Sequence, residues 1–277
     1  MMESYKRYTF DAFTTPCELL IFASSPEEAE ASFNAVYANA KRLEECYNFY
    51  SDRSELSRVN TRNGAEHLMS DELAGLMKLA LFYYQMTERT FDVAAAGSAK
   101  HVGWQDDALT PNGFVGLSEQ IEITGNRLIV SDDRIKIDLG GLVKEYAVDI
   151  SAQMLRSLGI RSALINFGGD VYAFGSYYGK PWKVGIEHPD NPCCLIETVE
   201  LTDSALCTSG HSKRKIRVGS QERSHIIPPD AASVSEYRQI SIVAPTALDA
   251  GVWSTVLLIN SSLSLPSHVS LAHAVLA

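Results

Sequence analysis

Ile137-Asp138-Leu139-Gly140-Gly141-Leu142-Val143-Lys144-Glu145-Tyr146-Ala147-Val148-Asp149 is the stretch on which the reading of this chain turns. The β-branched run before it, Arg134-Ile135-Lys136-Ile137, predicts a strand that ends on an acid. Two glycines follow. Then Ala147, Val148, Ile150, Met154, Leu155 and Leu158 recur at helical spacing until Gly159, which predicts an amphipathic helix. Glycines let backbone approach a ligand, and a helix start offers unpaired N–H groups with partial positive charge. Lys144 adds a fixed cation in the first turn. Strand, glycines, helix start and lysine together suit a phosphate. The same pattern also serves as an ordinary turn, so its weight comes from its surroundings.

Working outward, Gly168-Gly169-Asp170 follows a strongly apolar strand, Ser162–Phe167, and leads into another at Val171–Phe174. Residues 17–23 and 181–186 and the segments ending at Gly210 and Val243 also read as strands. Ile121–Thr124 and Arg127–Val130 flank Gly125-Asn126 as a hairpin, and Lys213–Val218 with Gln221–Ile227 form a second. Ser25-Pro26-Glu27-Glu28 announces a helix with a capping box, and Ser70-Asp71-Glu72 caps another. Ala247–Ile259 reads as the last helix. The connection Phe49–Asn60 is polar and rich in hydrogen-bonding groups, and the tail from Ser261 is weakly patterned. Strands and helices mix without regular alternation, which predicts an α+β fold.

Bulk properties narrow the function. The 277 residues carry a net charge of −10, with 45% hydrophobic and 21% charged residues. That balance argues against a nucleic-acid surface, which needs a concentrated basic face. No apolar run reaches the length of a membrane span. The five cysteines (Cys17, Cys46, Cys193, Cys194, Cys207) are odd in number and lack a CxxC pair, a poor framework for disulfides or zinc. Neither a signal peptide nor a lipid-anchored cysteine context is visible near the start, so a cytoplasmic location is the expectation.

Several of these stretches occur, in this order, in one known family. The chain resembles the ApbE-type FAD:protein FMN transferases along nearly its whole length. The resemblance is carried by Tyr50, the run Ser54-Glu55-Leu56-Ser57-Arg58-Val59-Asn60, Phe91-Asp92, and Asp138-Leu139-Gly140-Gly141 with Lys144 and Tyr146-Ala147-Val148-Asp149. It continues through Gly168-Gly169-Asp170, Trp182–Ile186, Thr208-Ser209-Gly210, His225-Ile226-Ile227 and Val243–Ala247, and ends at Ser254-Thr255. It implies a single domain over residues 1–277, a two-lobed T-fold-like α+β architecture with an internal duplication and FAD in the cleft between intertwined lobes. It also implies FMN transfer from FAD to a threonine hydroxyl of a partner flavoprotein, with Mg²⁺ assisting and AMP leaving. By position, Tyr50, Phe91, Asp92, Asp138, Lys144 and His225 would contact FAD. Lys144 and His225 would be catalytic, and the Gly141 carbonyl and Thr255 hydroxyl would lie at the metal.

Three departures fall on the chemistry. The family's metal-binding aspartate, four residues before the threonine, falls on Gly251. Asp249 lies six residues before Thr255, about 120° away around a helix where four residues is about 40°, so it cannot substitute without distortion. The stretch after His225 carries Pro228 where the family has aspartate, and Ala231-Ala232 where it has Thr-Gly, with Asp230 nearby. The glycine after the family's lysine is Glu145, which either points away or supplies a carboxylate that partly compensates. The alternative implied by these losses is a catalytically silent relative that binds FAD or another nucleotide as a binding module.

Overall fold

The structure, a computed structural model, describes residues 5–61, 66–94, 97, 120–132, 135–211, 215–218, 221–224 and 236–276. Its frame is a seven-stranded sheet in which every neighbouring pair is antiparallel. The strands are β1 (Tyr5–Ala12), β2 (Thr15–Phe22), β6 (Ser162–Phe167), β7 (Asp170–Phe174), β10 (Ser204–Gly210), β13 (Tyr237–Ala244) and β14 (Ser270–Leu276), in the spatial order β1-β2-β6-β7-β10-β13-β14. The small strands β3 (Glu66–Leu68), β4 (Ile121–Thr124) and β5 (Arg127–Val130) form a second sheet. Two ribbons complete the set, β8 (Trp182–His188) with β9 (Asn191–Leu201) and β11 (Lys215–Val218) with β12 (Gln221–Ser224).

The central strands are buried on both faces because their side chains alternate between two cores. Ala163, Ile165, Phe167, Ala205 and Cys207 point into the main core with the helices. Leu164, Val171, Ala173 and Leu206 point the other way, against Trp182, Ile186 and Leu201 of the β8–β9 ribbon. The helices over the main core are α1 (Pro26–Tyr47), α2 (Glu55–Asn60), α3 (Asp71–Met86), α4 (Val143–Ser157) and α5 (Ala247–Ile259). This mixed α+β architecture is the expected one.

Several local expectations need correction. Residues 135–138 join no sheet. Their groups pair instead with Asn60, whose side chain accepts from Ile137 N at 2.7 Å and donates to Ile137 O at 2.8 Å, and with Val93 O, which accepts from Asp138 N at 2.9 Å. Side-chain amide geometry here replaces a ladder. The polar connection before it is partly helical, because Ser54 caps α2 by accepting from Ser57 N at 2.9 Å. Glu28 does cap α1, but it accepts from Ser24 N at 2.6 Å rather than from the N-cap residue Ser25. Strands β1, β3, β9 and β14 add to those that the sequence predicts. β1 is mostly solvent-facing on one side, so its apolar alternation is diluted by Lys6, Arg7 and Asp11. It joins β2 through Phe13 and Thr14, both at positive φ (53° and 58°), a type I′ geometry matched to strand twist. The loop with Gly103, Pro111, Gly113 and Gly116, and the stretch from His225 to Ala232, lie outside the described residues.

Candidate functional site

A cleft of about 1070 Å³ opens where the β1–β2 hairpin, the turn before α4, the β6–β7 turn, the end of β10 and helix α5 meet. It lies at the upper end of the size that holds small organic ligands. Its floor is built by the stretch Asp138–Glu145. Asp138 is buried, and its Oδ1 accepts from Gly140 N at 2.9 Å. Leu139 O then accepts from Leu142 N and Val143 N, each at 2.9 Å, and the chain enters α4. No side chain caps that helix, and Gly140, Gly141, Lys144 and Glu145 around its start all line the cleft. A Cβ added at Gly141 would touch only the Phe91 ring, at 3.7 Å. Glycine there leaves room in the cleft rather than in the core.

Lys144 stands in the first turn of α4 with its side chain 13% exposed. Its ammonium forms ion pairs with Asp170, the first residue of β7, and with Glu145 Oε1 at 3.1 Å. Both acids are buried. The β6–β7 turn that delivers Asp170 depends on Gly168, at φ +66°. A Cβ there would sit 2.2 Å from Thr15 Oγ1, so no other residue fits. Asn166 Oδ1 accepts from Gly169 N at 2.8 Å and closes the turn.

The opposite wall carries hydroxyls. Ser209 Oγ lies 3.0 Å from Thr255 Oγ1 and 2.7 Å from Ser254 Oγ, and Thr208 Oγ1 lies 2.8 Å from Ser241 Oγ. Cys17 also lines the cleft, but burial pushes its thiol up to about 11. It therefore stays protonated and is no nucleophile. All five cysteines are free.

The start of α5 is closed. Asp149 accepts from Ala247 N at 2.7 Å and Leu248 N at 3.0 Å. Thr246 accepts from Asp249 N at 3.0 Å. Burial pushes the Asp149 carboxyl up to about 6, against the lowering effect of those two N–H groups and with help from the charges of Asp249 and Glu145. Asp249 itself accepts from Tyr83 OH and from the Thr246 hydroxyl, both at 2.9 Å. Burial and this carboxylate hold the Tyr83 phenol well above its ordinary range. Asp249 is not among the described residues lining the cleft.

A family model described as the ApbE family matches residues 13–269. The chain belongs to the ApbE family. It is similar to the FAD:protein FMN transferase of Vibrio cholerae, 28% identical over 213 residues, covering 72% of this chain and 63% of that protein. The Treponema pallidum protein of the same name is 24% identical over 273 residues, covering 87% and 75%. The chain thus spans somewhat under two thirds of the Vibrio relative's length and three quarters of the Treponema one. Among solved structures, the ApbE protein of Thermotoga maritima superposes with a TM-score of 0.82 at 22% identity, covering 92% of this chain and 87% of that one. The flavin transferase ApbE from Vibrio cholerae gives 0.77, also at 22% identity. These structures establish the ApbE fold.

The cleft gathers most of the residues that the ApbE resemblance nominated. Phe91, Asp92, Asp138, Gly141, Lys144 and Thr255 all line it. Asp92 Oδ1 accepts from Ala94 N at 2.8 Å and so closes a turn. Tyr50 is not brought in: it is 74% exposed, edge-on to Phe49, and absent from the described lining. His225 and Asp230 lie outside the described residues. Asp170 was not nominated as a site residue, although Gly168-Gly169-Asp170 was visible as a motif.

Oxygen donors that could hold a hard cation include the Thr255 hydroxyl, the Glu145 carboxylate and the backbone at Gly141, all from residues that line the cleft. No group of three or more His, Cys, Asp or Glu side chains able to hold a metal occurs among the described residues. This set fits a magnesium ion that draws its remaining ligands from water and substrate phosphates, as that ion ordinarily does.

Proposed function

We propose that the protein is an FAD:protein FMN transferase that moves FMN from FAD to a threonine hydroxyl of an acceptor flavoprotein and releases AMP. The observation that carries this reading is the cation clamped at the start of α4: Lys144, between Asp170 and Glu145, on the floor of a cleft whose backbone is glycine at Gly140 and Gly141. The names of its ApbE relatives supply the reaction. In this reading the threonine oxygen attacks the FMN-side phosphorus of the pyrophosphate, the bond from that phosphorus to the bridging oxygen breaks, and AMP leaves with that oxygen. The threonine proton passes to solvent or to His225.

The residues of this chain act mainly by placement and charge. Lys144 and the α4 start offset charge that grows on the phosphate oxygens, without reorganising at the moment of reaction. The two acids fix the lysine rotamer and so keep the ammonium where it is needed. Asp138 holds the Gly140 amide and shapes the floor. A magnesium ion held by Gly141, Thr255 and a carboxylate would act as a Lewis acid on the pyrophosphate. Phe91 offers an aromatic wall, and Tyr50 would have to reach the flavin from the surface.

The test is incubation of the purified chain with FAD, Mg²⁺ and a threonine-containing acceptor domain. A covalent fluorescent acceptor and AMP in equal amounts are expected, and absence of both sinks the reading. One observation favours the second reading, a silent FAD-binding module: no acid stands at Gly251, and Asp249 is engaged with Tyr83 and Thr246. That reading predicts flavin binding indifferent to EDTA, with no AMP formed.

A further inference from the structure

Gly251 and Glu145 fit each other. Gly251 is buried in α5 one turn before Thr255, so the two positions share a helix face. A Cβ built on Gly251 would come 2.4 Å from Glu145 Cγ, 3.2 Å from Cδ and 3.3 Å from Oε1. The space where a side chain of α5 would stand is therefore filled by the Glu145 side chain arriving from α4, its Cγ methylene nearest and its carboxyl just beyond.

That carboxylate is only half satisfied. Glu145 is 7% exposed and lines the cleft. Its Oε1 faces Lys144 Nζ at 3.1 Å, but its Oε2 is buried without a hydrogen-bond partner among the described residues. A buried carboxylate oxygen without a donor is costly. The positive end of α4 eases the charge without satisfying the lone pairs. Lys144 meets two acids, so one ammonium is shared between two carboxyl groups, and a further cation would complete their pairing.

We propose that Glu145 is the carboxylate ligand of a divalent-cation site at this end of the cleft, with the Thr255 hydroxyl and the Gly141 carbonyl as its neutral oxygens. The acid has changed helices: its side chain crosses from α4 into the volume left free at Gly251, one turn from Thr255. Glutamate is the longer acid, and the extra methylene lets it reach across from the neighbouring helix. The choice of magnesium rests on the transferase reading, whereas the position of the ligand rests on the packing of Glu145 against Gly251.

The experiment uses Mn²⁺ as the probe, followed by its electron paramagnetic resonance signal, with and without FAD, on the full chain. Glu145→Gln is expected to weaken Mn²⁺ binding roughly tenfold or more. The paired exchange Glu145→Gly with Gly251→Asp returns the acid to α5 and should bring Mn²⁺ binding back to within about threefold of the parent. Mn²⁺ binding by Glu145→Gln equal to that of the parent overturns the proposal, as does a folded paired exchange no tighter than Glu145→Gln. If Glu145→Gln does not fold, the paired exchange decides alone. Glu145-dependent Mn²⁺ binding without AMP release from FAD would sink the transferase reading and leave the metal site standing. FMN transfer undiminished in Glu145→Gln would do the reverse.

Discussion

Helices α4 and α5 begin within the same core but end their N-termini in opposite ways. The α5 start is sealed by the protein's own oxygens, with Asp149 on Ala247 N and Leu248 N, and Thr246 on Asp249 N. The α4 start has no side-chain cap, opens on Gly140 and Gly141, and carries Lys144 at the cleft. Both face similar pressure to satisfy their N–H groups. A sealed start is a structural joint, whereas an unsealed one beside a cavity leaves N–H groups open to a ligand.

The largest effect on this contrast should come from Lys144→Met. It removes the cation and leaves Glu145 and Asp170 buried together, which costs about 3–5 kcal/mol of stability and should lower transfer about 100-fold or more. Urea unfolding and AMP release measure the two losses. Undiminished transfer would remove the lysine from the site.

Opening the sealed end should cost less. Asp149→Ala leaves two amides of α5 without acceptors, an expected loss of about 2 kcal/mol, with metal-free FAD binding retained. The same carboxyl predicts a pH dependence. Its folded value, about 6, lies above the 3.8 of an ordinary aspartate, so the folded chain holds this proton more tightly than the unfolded one. The stability it contributes is complete below the unfolded value and is lost as pH rises through the folded one. Between about pH 4 and pH 6 the parent should lose up to about 3 kcal/mol from this group. Asp149→Asn should flatten that slope in urea titrations at stepped pH.

Two smaller substitutions sharpen the contrast. Gly141→Ala has room in the protein, its Cβ reaching only the Phe91 ring at 3.7 Å. Stability should stay within about 1 kcal/mol, while FAD affinity falls roughly tenfold if ligand backs onto this backbone. Equal FAD affinity would mean that the glycine serves the turn alone. Tyr50→Ala should change stability by less than about 0.5 kcal/mol, as an exposed position does. A drop in FAD affinity measured by fluorescence would then show that Tyr50 folds over the ligand.

Much of this was legible in the sequence because the signals were local. Ser25 and Ser70 announced their helices, Gly125-Asn126 its hairpin, and the run from Asp138 to Asp149 both a turn and a helix. What was hidden depends on partners far along the chain. Asn60 reads as one polar residue among many, yet it stands in for a strand by gripping both backbone groups of Ile137. β14 borrows its regularity from β13, with two register shifts, so its own pattern is weak. Glu145 was visible as an added charge and Gly251 as a missing one. Only packing shows that one fills the space of the other. Asp170 was seen as a turn residue, and its pairing with Lys144 joins two elements that sequence spacing does not connect.

The turn carrying Asp170 sits between β6 and β7, the third and fourth of seven strands, with sheet on either side and a core above and below. Buried middle strands of this kind are among the last elements to open. The anchor of the lysine is thus tied to a part of the molecule that comes apart late. Damage at Gly168 or Asn166 should therefore register in a cell as missing protein, cleared by proteolysis, rather than as an intact but idle copy.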